Sequence, residues 1–62
     1  MSLKSDIDRI RAVRASVRKS KDKADDALRA VEDPRMTKAL AVAIEQMERA
    51  EAPLTEILGG GQ

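Results

Sequence analysis

Four basic side chains near the start of the chain are spaced so that they could bind a nucleic-acid backbone. They fall three, four and three residues apart, which places them on one face of an α-helix; they are Arg11, Arg14, Arg18 and Lys21. Such a stripe can follow successive phosphates, with salt-dependent affinity and no sequence preference. Residues 1–23 carry eight Lys or Arg and three Asp, a net charge of +5. One candidate function is therefore a small nucleic-acid-binding regulator.

The rest of the chain is acidic, which gives the basic stripe a structural alternative. Residues 24–62 carry four basic and eight acidic side chains. A chain that folds back at residue 33 brings Arg14 level with Glu51, Arg18 with Glu48 and Lys21 with Glu45. Arg14, Lys21 and Glu51 flank the apolar stripe, whereas Glu45 points further out, so not every one of these pairs can close. Exposed pairs stabilise by only ~0–1 kcal/mol each, so they would select an orientation rather than add much stability. Because no helix-turn-helix, zinc-finger or basic-zipper spacing is present, we favour this pairing over nucleic-acid binding.

Clustered carboxylates suggest a metal site, but the usual helical-bundle ligands are incomplete. Asp22, Asp25 and Asp26 share one helix face, and so do Glu45 and Glu48. Oxygen ligands of this kind suit Mg²⁺ or Ca²⁺. Di-metal sites in helical bundles normally add a Glu-x-x-His motif, and the chain contains no His. We therefore interpret both clusters as solvated faces and predict no metal and no other cofactor.

The chain lacks the residues that most enzymes use as nucleophile and base. It has no His and no Cys. Ser5, Ser16 and Ser20 consequently have no imidazole to activate them. No glycine-rich phosphate loop is present, and a pair of helices offers no deep pocket in which a Lys or carboxylate could shift its pKa. We predict that the protein is not an enzyme and binds no small-molecule substrate.

The strongest pattern is an apolar stripe in the second half of the chain. Its members recur every four and three residues: Met36, Leu40, Ala43, Met47, Ala50, Leu54 and Ile57. This spacing is typical of a helix that packs against other helices. Residues 39–44 are all apolar, so the middle of that helix needs more than one neighbour. A similar stripe in the first half comprises Leu3, Ile10, Val13, Val17, Ser20, Ala24, Ala27 and Val31.

The two helices are divided by Asp33-Pro34. Proline disfavours helical geometry at the residue before it and is well placed at the first position of a new helix, with Asp33 as its cap. We predict an all-α fold, an antiparallel hairpin in residues 1–58 with helices over 6–32 and 34–58. Pro53 predicts a kink near residue 53, and residues 59–62 form a flexible glycine-rich tail. The alternative is a kinked, nearly continuous rod.

A hairpin of this size cannot enclose a core alone. The chain has 62 residues, no disulfide and no aromatic side chain, and small domains usually need a further stabilising device. We predict self-association into a four-helix bundle or larger oligomer. The predicted interface is Met36, Ala39, Leu40, Val42, Ala43, Ile44, Met47, Leu54 and Ile57. The predicted core is Ile7, Ile10, Val13, Val17, Leu28, Val31, Met36, Leu40, Ala43, Met47, Leu54 and Ile57.

These patterns favour a non-enzymatic oligomerisation or adaptor module, an accessory component of a cellular or phage assembly that binds itself and another protein. Val42 lies off the main stripe among apolar neighbours and marks a second contact surface. A further alternative is a small inhibitor that docks a helix face on a host enzyme. No apolar run approaches the ~18–20 residues that span a bilayer. We therefore expect a cytoplasmic, or virion-associated, protein without membrane contact.

The last three residues, Gly60-Gly61-Gln62, resemble the end of the prokaryotic ubiquitin-like proteins. In that family a terminal Gly-Gly-Gln is deamidated and joined to lysines of proteins destined for the proteasome. The resemblance covers these three residues and a similar chain length. The family is strongly acidic and disordered, whereas this chain has a net charge of +1 and a dense helical pattern. A flexible glycine tail is the simpler interpretation.

Overall fold

The computed structural model describes residues 3–59 as two α-helices, α1 (Leu3–Ala30) and α2 (Pro34–Gly59). A three-residue connection, residues 31–33, joins them. The helices pack against each other as an antiparallel hairpin, whose Cα atoms span 47 Å in length and 17 and 15 Å across. The described residues contain no strand. The predicted all-α hairpin is thus confirmed for a single chain.

The connection forms where the Asp33-Pro34 pair predicts it. The Asp33 side chain accepts a hydrogen bond from the Arg35 amide at 2.8 Å, and its carbonyl accepts one from the Thr37 amide at 2.9 Å. The first bond satisfies an amide that the first turn of α2 leaves without a helical partner, and the second is the first bond within the helix. Because Asp33 must be extended to cap α2, α1 ends at Ala30, two residues before the predicted boundary.

The Asp33 cap gives a first testable prediction. Asp33→Ala removes the side-chain acceptor 2.8 Å from the Arg35 amide, and we expect it to lower the free energy of unfolding by ~1 kcal/mol. Asp33→Ser keeps an acceptor at the cap and should lose less than half of that. Thermal denaturation followed by circular dichroism measures both variants. Equal stability of Asp33→Ala and the parent chain would contradict the capping role.

Proline does not end the second helix. Pro53 lies inside α2, which continues to Gly59. The kink predicted near Pro53 stays a prediction. The helix was predicted to end at residue 58, with Gly59 in the tail, but Gly59 is the last residue of α2. The predicted flexible tail falls mostly on residues 60–62, which lie outside the described part of the chain, as does the Gly-Gly-Gln resemblance.

The contact between the helices follows one heptad pattern on each helix, which we call the hairpin seam. Its members are all buried or half-buried: Ile7, Ile10, Arg14, Val17, Lys21, Ala24 and Leu28 on α1, Val31 just after α1, and Thr37, Leu40, Ile44, Met47, Glu51, Leu54 and Leu58 on α2. Spacings of three and four residues throughout are typical of helices packed side by side. The hairpin seam shares about half of its residues with the predicted apolar stripes. Elsewhere, apart from Ile7, each seam residue follows a stripe residue by one position, as Ile44 follows Ala43 and Glu51 follows Ala50, so the hairpin seam is rotated from the stripes.

This rotation leaves three residues of the predicted core in water. Val13 is 48% exposed, Met36 58% and Ile57 54%. Ala24, at 8% exposure, is the one fully buried apolar residue within the described range. The prediction that Val13, Met36 and Ile57 belong to the core is therefore wrong for a single hairpin. Two helices can bury only the sides that face each other, and these side chains lie beside the hairpin seam.

Candidate assembly surface

One side of the hairpin forms an open groove between α1 and α2, which we call the groove face. Eight side chains line it: Val13, Ser16, Val17, Ser20, Ala43, Gln46, Met47 and Ala50. None of them is charged, although Lys, Arg, Asp and Glu make up 37% of the chain. Val17 and Met47 also belong to the hairpin seam and remain only half-buried. The groove face is thus an uncharged, largely apolar surface left open to water.

The groove is shallow because small residues lie along both of its walls. Ser16 and Ser20 contribute from α1, and Ala43 and Ala50 contribute from α2. Short side chains leave room for another helix to approach closely, since they project little from the helix surface. Met47, whose side chain is flexible and adapts to irregular partners, is positioned between them. This shape can receive apolar side chains from a neighbouring helix.

The opposite side of the hairpin is charged. Lys21, Glu48, Glu51 and Glu56 lie there, together with Ala52 and Thr55. Arg18 reaches the same side, because its Nε donates to Glu51 Oε2 at 3.0 Å. The two sides of one hairpin thus differ sharply in polarity.

Glu51 is the centre of the polar contact between the helices. Arg18 Nε lies 3.0 Å from its Oε2 atom, and Lys21 Nζ lies 3.2 Å from its Oε1 atom. The Glu51 side chain is only 16% exposed and that of Lys21 only 25%. Hydrogen bonds from Arg18 first and Lys21 second hold the pKa of Glu51 below its ordinary value. One carboxylate therefore binds two cations at the hairpin seam.

These contacts correct the predicted ion pairs. The predicted partner of Glu51 was Arg14, and Arg18 and Lys21 were predicted to meet Glu48 and Glu45. Instead both Arg18 and Lys21 bind Glu51, while Glu45 binds Arg49 at 3.1 Å on its own helix. The reason is helical phase: Glu51 lies on the hairpin seam, whereas Glu45 and Glu48 are exposed.

The same contacts divide the predicted basic stripe. Arg18 and Lys21 are held by Glu51, and Arg14 is half-buried at the hairpin seam. Arg11 lies 3.6 Å from Asp8 in the preceding turn. The four cations therefore do not form one open row for phosphates. Among the described residues, no group of three or more acidic side chains is arranged to hold a metal ion.

Glu51 gives a prediction about acid stability. A carboxylate whose pKa is lowered by folding stabilises the folded state above its ordinary pKa, and this contribution is lost as the pH falls through the folded value. We expect the melting temperature of the parent chain to fall steeply below pH ~4.5. Glu51→Gln should be less stable than the parent at neutral pH and show a flatter acid profile.

Glu45→Gln is the matched control, because the side chains of Glu45 and Arg49 are 62% and 78% exposed. Its melting temperature should follow the parent chain from neutral pH down to acid. If Glu51→Gln and Glu45→Gln gave the same profile, the coupling of Glu51 to folding would be refuted.

The predicted interface residues divide between two surfaces. Ile44 lies on the hairpin seam, and Leu40, Met47 and Leu54 are half-buried there as well. Ala43 and Met47 line the groove, whereas Met36, Ala39, Val42 and Ile57 are exposed. Of the eight residues that line the groove, the predicted interface contained only Ala43 and Met47. Val13 and Val17 were predicted core residues, and Ser16, Ser20, Gln46 and Ala50 were in neither set. Ser20 and Ala50 already belonged to the apolar stripes, whereas Ser16 and Gln46 are polar and gave no signal.

Neither α1 nor α2, which together cover most of residues 3–59, has an apolar stretch that could cross a membrane. Comparisons of this chain with protein-family models, with curated proteins and with solved structures found no match.

Proposed function

We propose that this protein is a non-enzymatic assembly module, a helical hairpin that packs its groove face against another copy of itself. In the assembled form it acts as an adaptor or structural accessory component of a larger complex. The observation that carries this proposal is the uncharged groove face, lined by eight residues without a formal charge. One of these residues, Val13, is about half exposed, and so are Met36 and Ile57 on α2 outside the groove.

The energetics of a single hairpin favour a partner. Burying one large aliphatic side chain completely stabilises a fold by ~1.5–3 kcal/mol. Within residues 3–59, no large side chain is completely buried. A second copy over the groove would enclose Val17 and Met47 from the side that now faces water. Assembly thus supplies apolar burial that one hairpin lacks.

The placement of the apolar stripes supports a four-helix bundle. On α1, Val13, Val17 and Ser20 lie on the groove side, and on α2, Ala43, Met47 and Ala50 do. These are members of the two stripes that the periodicity defines. Two hairpins facing each other through such stripes would form an antiparallel four-helix bundle, in which each helix packs against two neighbours.

Binding of a different protein needs a surface outside the groove. Val42 is 47% exposed and does not line the groove. It is the best candidate for such a contact in the adaptor, and Val42→Glu should then release a captured partner while the oligomer persists. Nucleic-acid binding receives less support, because Arg18 and Lys21 are already bound to Glu51.

Sedimentation equilibrium over the micromolar range tests the proposed self-association. The chain mass is 6.8 kDa, and we expect a species of at least twice this mass whose helicity and melting temperature rise with concentration. A lone chain of 6.8 kDa with cooperative, concentration-independent unfolding would refute the proposal. The same measurement in high salt should leave the oligomer intact, because the groove face carries no charge.

A further inference from the structure

The exposed side of α2 carries a second heptad pattern, distinct from the hairpin seam, which we call the α2 stripe. Its members are spaced by three and four residues: Met36, Ala39, Ala43, Gln46, Ala50, Pro53 and Ile57. Ala43, Gln46 and Ala50 line the groove, and Met36 and Ile57 extend the same row by seven residues in each direction. Six of the seven are exposed and Ala43 is half-buried. A helix with two heptad patterns packs against two neighbours.

The α2 stripe is symmetric in side-chain size about its middle. Gln46 occupies the centre, with Ala43 on one side and Ala50 on the other. The large side chains of Met36 and Ile57 lie at the two ends, 58% and 54% exposed. Reversing the direction of the helix therefore leaves the pattern nearly unchanged. In a second copy that runs in the opposite direction, Met36 would lie level with Ile57 and the small residues level with small residues, so one stripe can pack on another along its whole length.

The charges beside the α2 stripe favour the same orientation. Arg35 precedes Met36 and Glu56 precedes Ile57, so both occupy the same heptad position at opposite ends of the stripe. Both are exposed. In an antiparallel pair of α2 helices, Arg35 of each copy would lie near Glu56 of the other copy. In a parallel pair, Arg35 would lie beside Arg35 and Glu56 beside Glu56, and like charges repel.

Gln46 explains how the register of such a pair would be fixed. It is the one polar side chain in the α2 stripe. An amide enclosed by apolar groups needs hydrogen-bond partners, and it offers both a donor and an acceptor. Near a two-fold axis, the Gln46 amides of two copies come close to each other. A single polar residue in a helical interface can specify register in this way.

We propose that a second copy of this chain docks with its α2 antiparallel to α2, on a two-fold axis that passes near Gln46. This inference rests on the proposed self-association and adds the orientation of the two hairpins. The alternatives are α2 helices side by side in parallel, and a bundle in which α2 of one copy lies beside α1 of the other.

Distances between spin labels on the two copies distinguish these arrangements. The chain has no Cys, so single cysteines at Lys38, Glu45 and Ala52 can each carry one label. These exposed positions are seven residues apart and lie on the same side of α2. At 1.5 Å per residue, the antiparallel pair separates two labels along the axis by about 24 Å at Lys38, about 3 Å at Glu45 and about 18 Å at Ala52.

The expected result of double electron–electron resonance is a distance that is shortest at Glu45 and longer on both sides. One common distance at all three positions would overturn the antiparallel orientation and leave the proposed self-association standing. No distance between copies, together with a sedimenting mass of 6.8 kDa, would overturn both proposals.

Charge reversal gives an independent readout of the same orientation. Arg35→Glu places a carboxylate of each copy near Glu56 of the other, and we expect roughly three- to tenfold weaker association. Adding Glu56→Arg to the same chain should restore the parent affinity, because every pair between copies is again of opposite charge. In either alternative arrangement Arg35 does not lie near Glu56 of the other copy, and a lack of rescue would contradict the antiparallel pairing.

Discussion

Ala24→Asp is expected to unfold the hairpin. Ala24 lies in the last third of α1 on the hairpin seam and is 8% exposed, the lowest value in the described chain. An aspartate there would place a carboxylate against α2, and Lys21, one turn earlier on the hairpin seam, is already bound to Glu51. Enclosing such a charge costs ~3 kcal/mol or more. A small domain commonly has only ~3–5 kcal/mol of stability, so this cost removes most of it.

Circular dichroism and thermal denaturation measure this effect. Ala15→Asp is the matched control, because Ala15 is exposed on the same helix and the change in helix propensity is the same. It should lower the free energy of unfolding only by its helix-propensity cost, ~0.7 kcal/mol. If both variants melted at the same temperature, the contact assigned to Ala24 between the helices would be wrong.

Ala50→Glu is expected to weaken assembly strongly without unfolding the hairpin. Ala50 lines the groove face and is exposed in a single copy. A glutamate can therefore extend into water as long as the groove stays open. Docking of a second hairpin would enclose that carboxylate at a cost of ~3 kcal/mol. Since each ~1.4 kcal/mol is a factor of ten, the affinity between copies should fall about a hundredfold.

Sedimentation velocity at matched concentrations compares this variant with Ala41→Glu, which places the same residue on an exposed position of α2 outside the groove. Ala41→Glu should assemble as the parent chain does. An Ala50→Glu oligomer of unchanged mass and affinity would show that the groove face is not the assembly surface. Helicity recorded on the same samples separates loss of assembly from loss of folding.

These two substitutions probe different surfaces of one hairpin. Ala24→Asp tests the contact that makes the hairpin, and Ala50→Glu tests the surface that the hairpin leaves open. If Ala24→Asp unfolded the hairpin and Ala50→Glu changed neither its mass nor its stability, the fold would be complete without a partner. Both effects together would support a chain that needs a second copy to enclose its apolar side chains.

The sequence by itself determined the elements of this protein. Apolar residues at intervals of three and four predict helices, and no competing strand pattern is present. Asp33-Pro34 predicts the break, because proline excludes a continuous helix there and aspartate caps the next one. Both signals are local, since they depend on the geometry of neighbouring residues alone. For that reason they predicted the two helices and their connection with boundaries wrong by only a few residues.

The tertiary structure decided which side of each helix faces the other. On α2, two heptad patterns overlap: one contains Leu40, Ile44 and Glu51, and the other contains Ala43, Gln46 and Ala50. The sequence alone did not decide which of the two patterns faces α1. It predicted Met36 and Ile57 in the core of the hairpin, whereas both are about half exposed. The choice depends on how two helices joined by three residues can face each other. Periodicity on one helix carries no information about that relation.

The register of the hairpin depends on the same relation. Glu51 binds Arg18 and Lys21 because the packed helices bring these three side chains together at the hairpin seam. A count from the turn predicted other partners, because the rotation of each helix about its axis, judged from the apolar stripes, differs by about one position from the rotation at the hairpin seam. Chain-local rules thus determined where the helices begin and end. Packing between helices decided which charges meet and which apolar side remains for a partner.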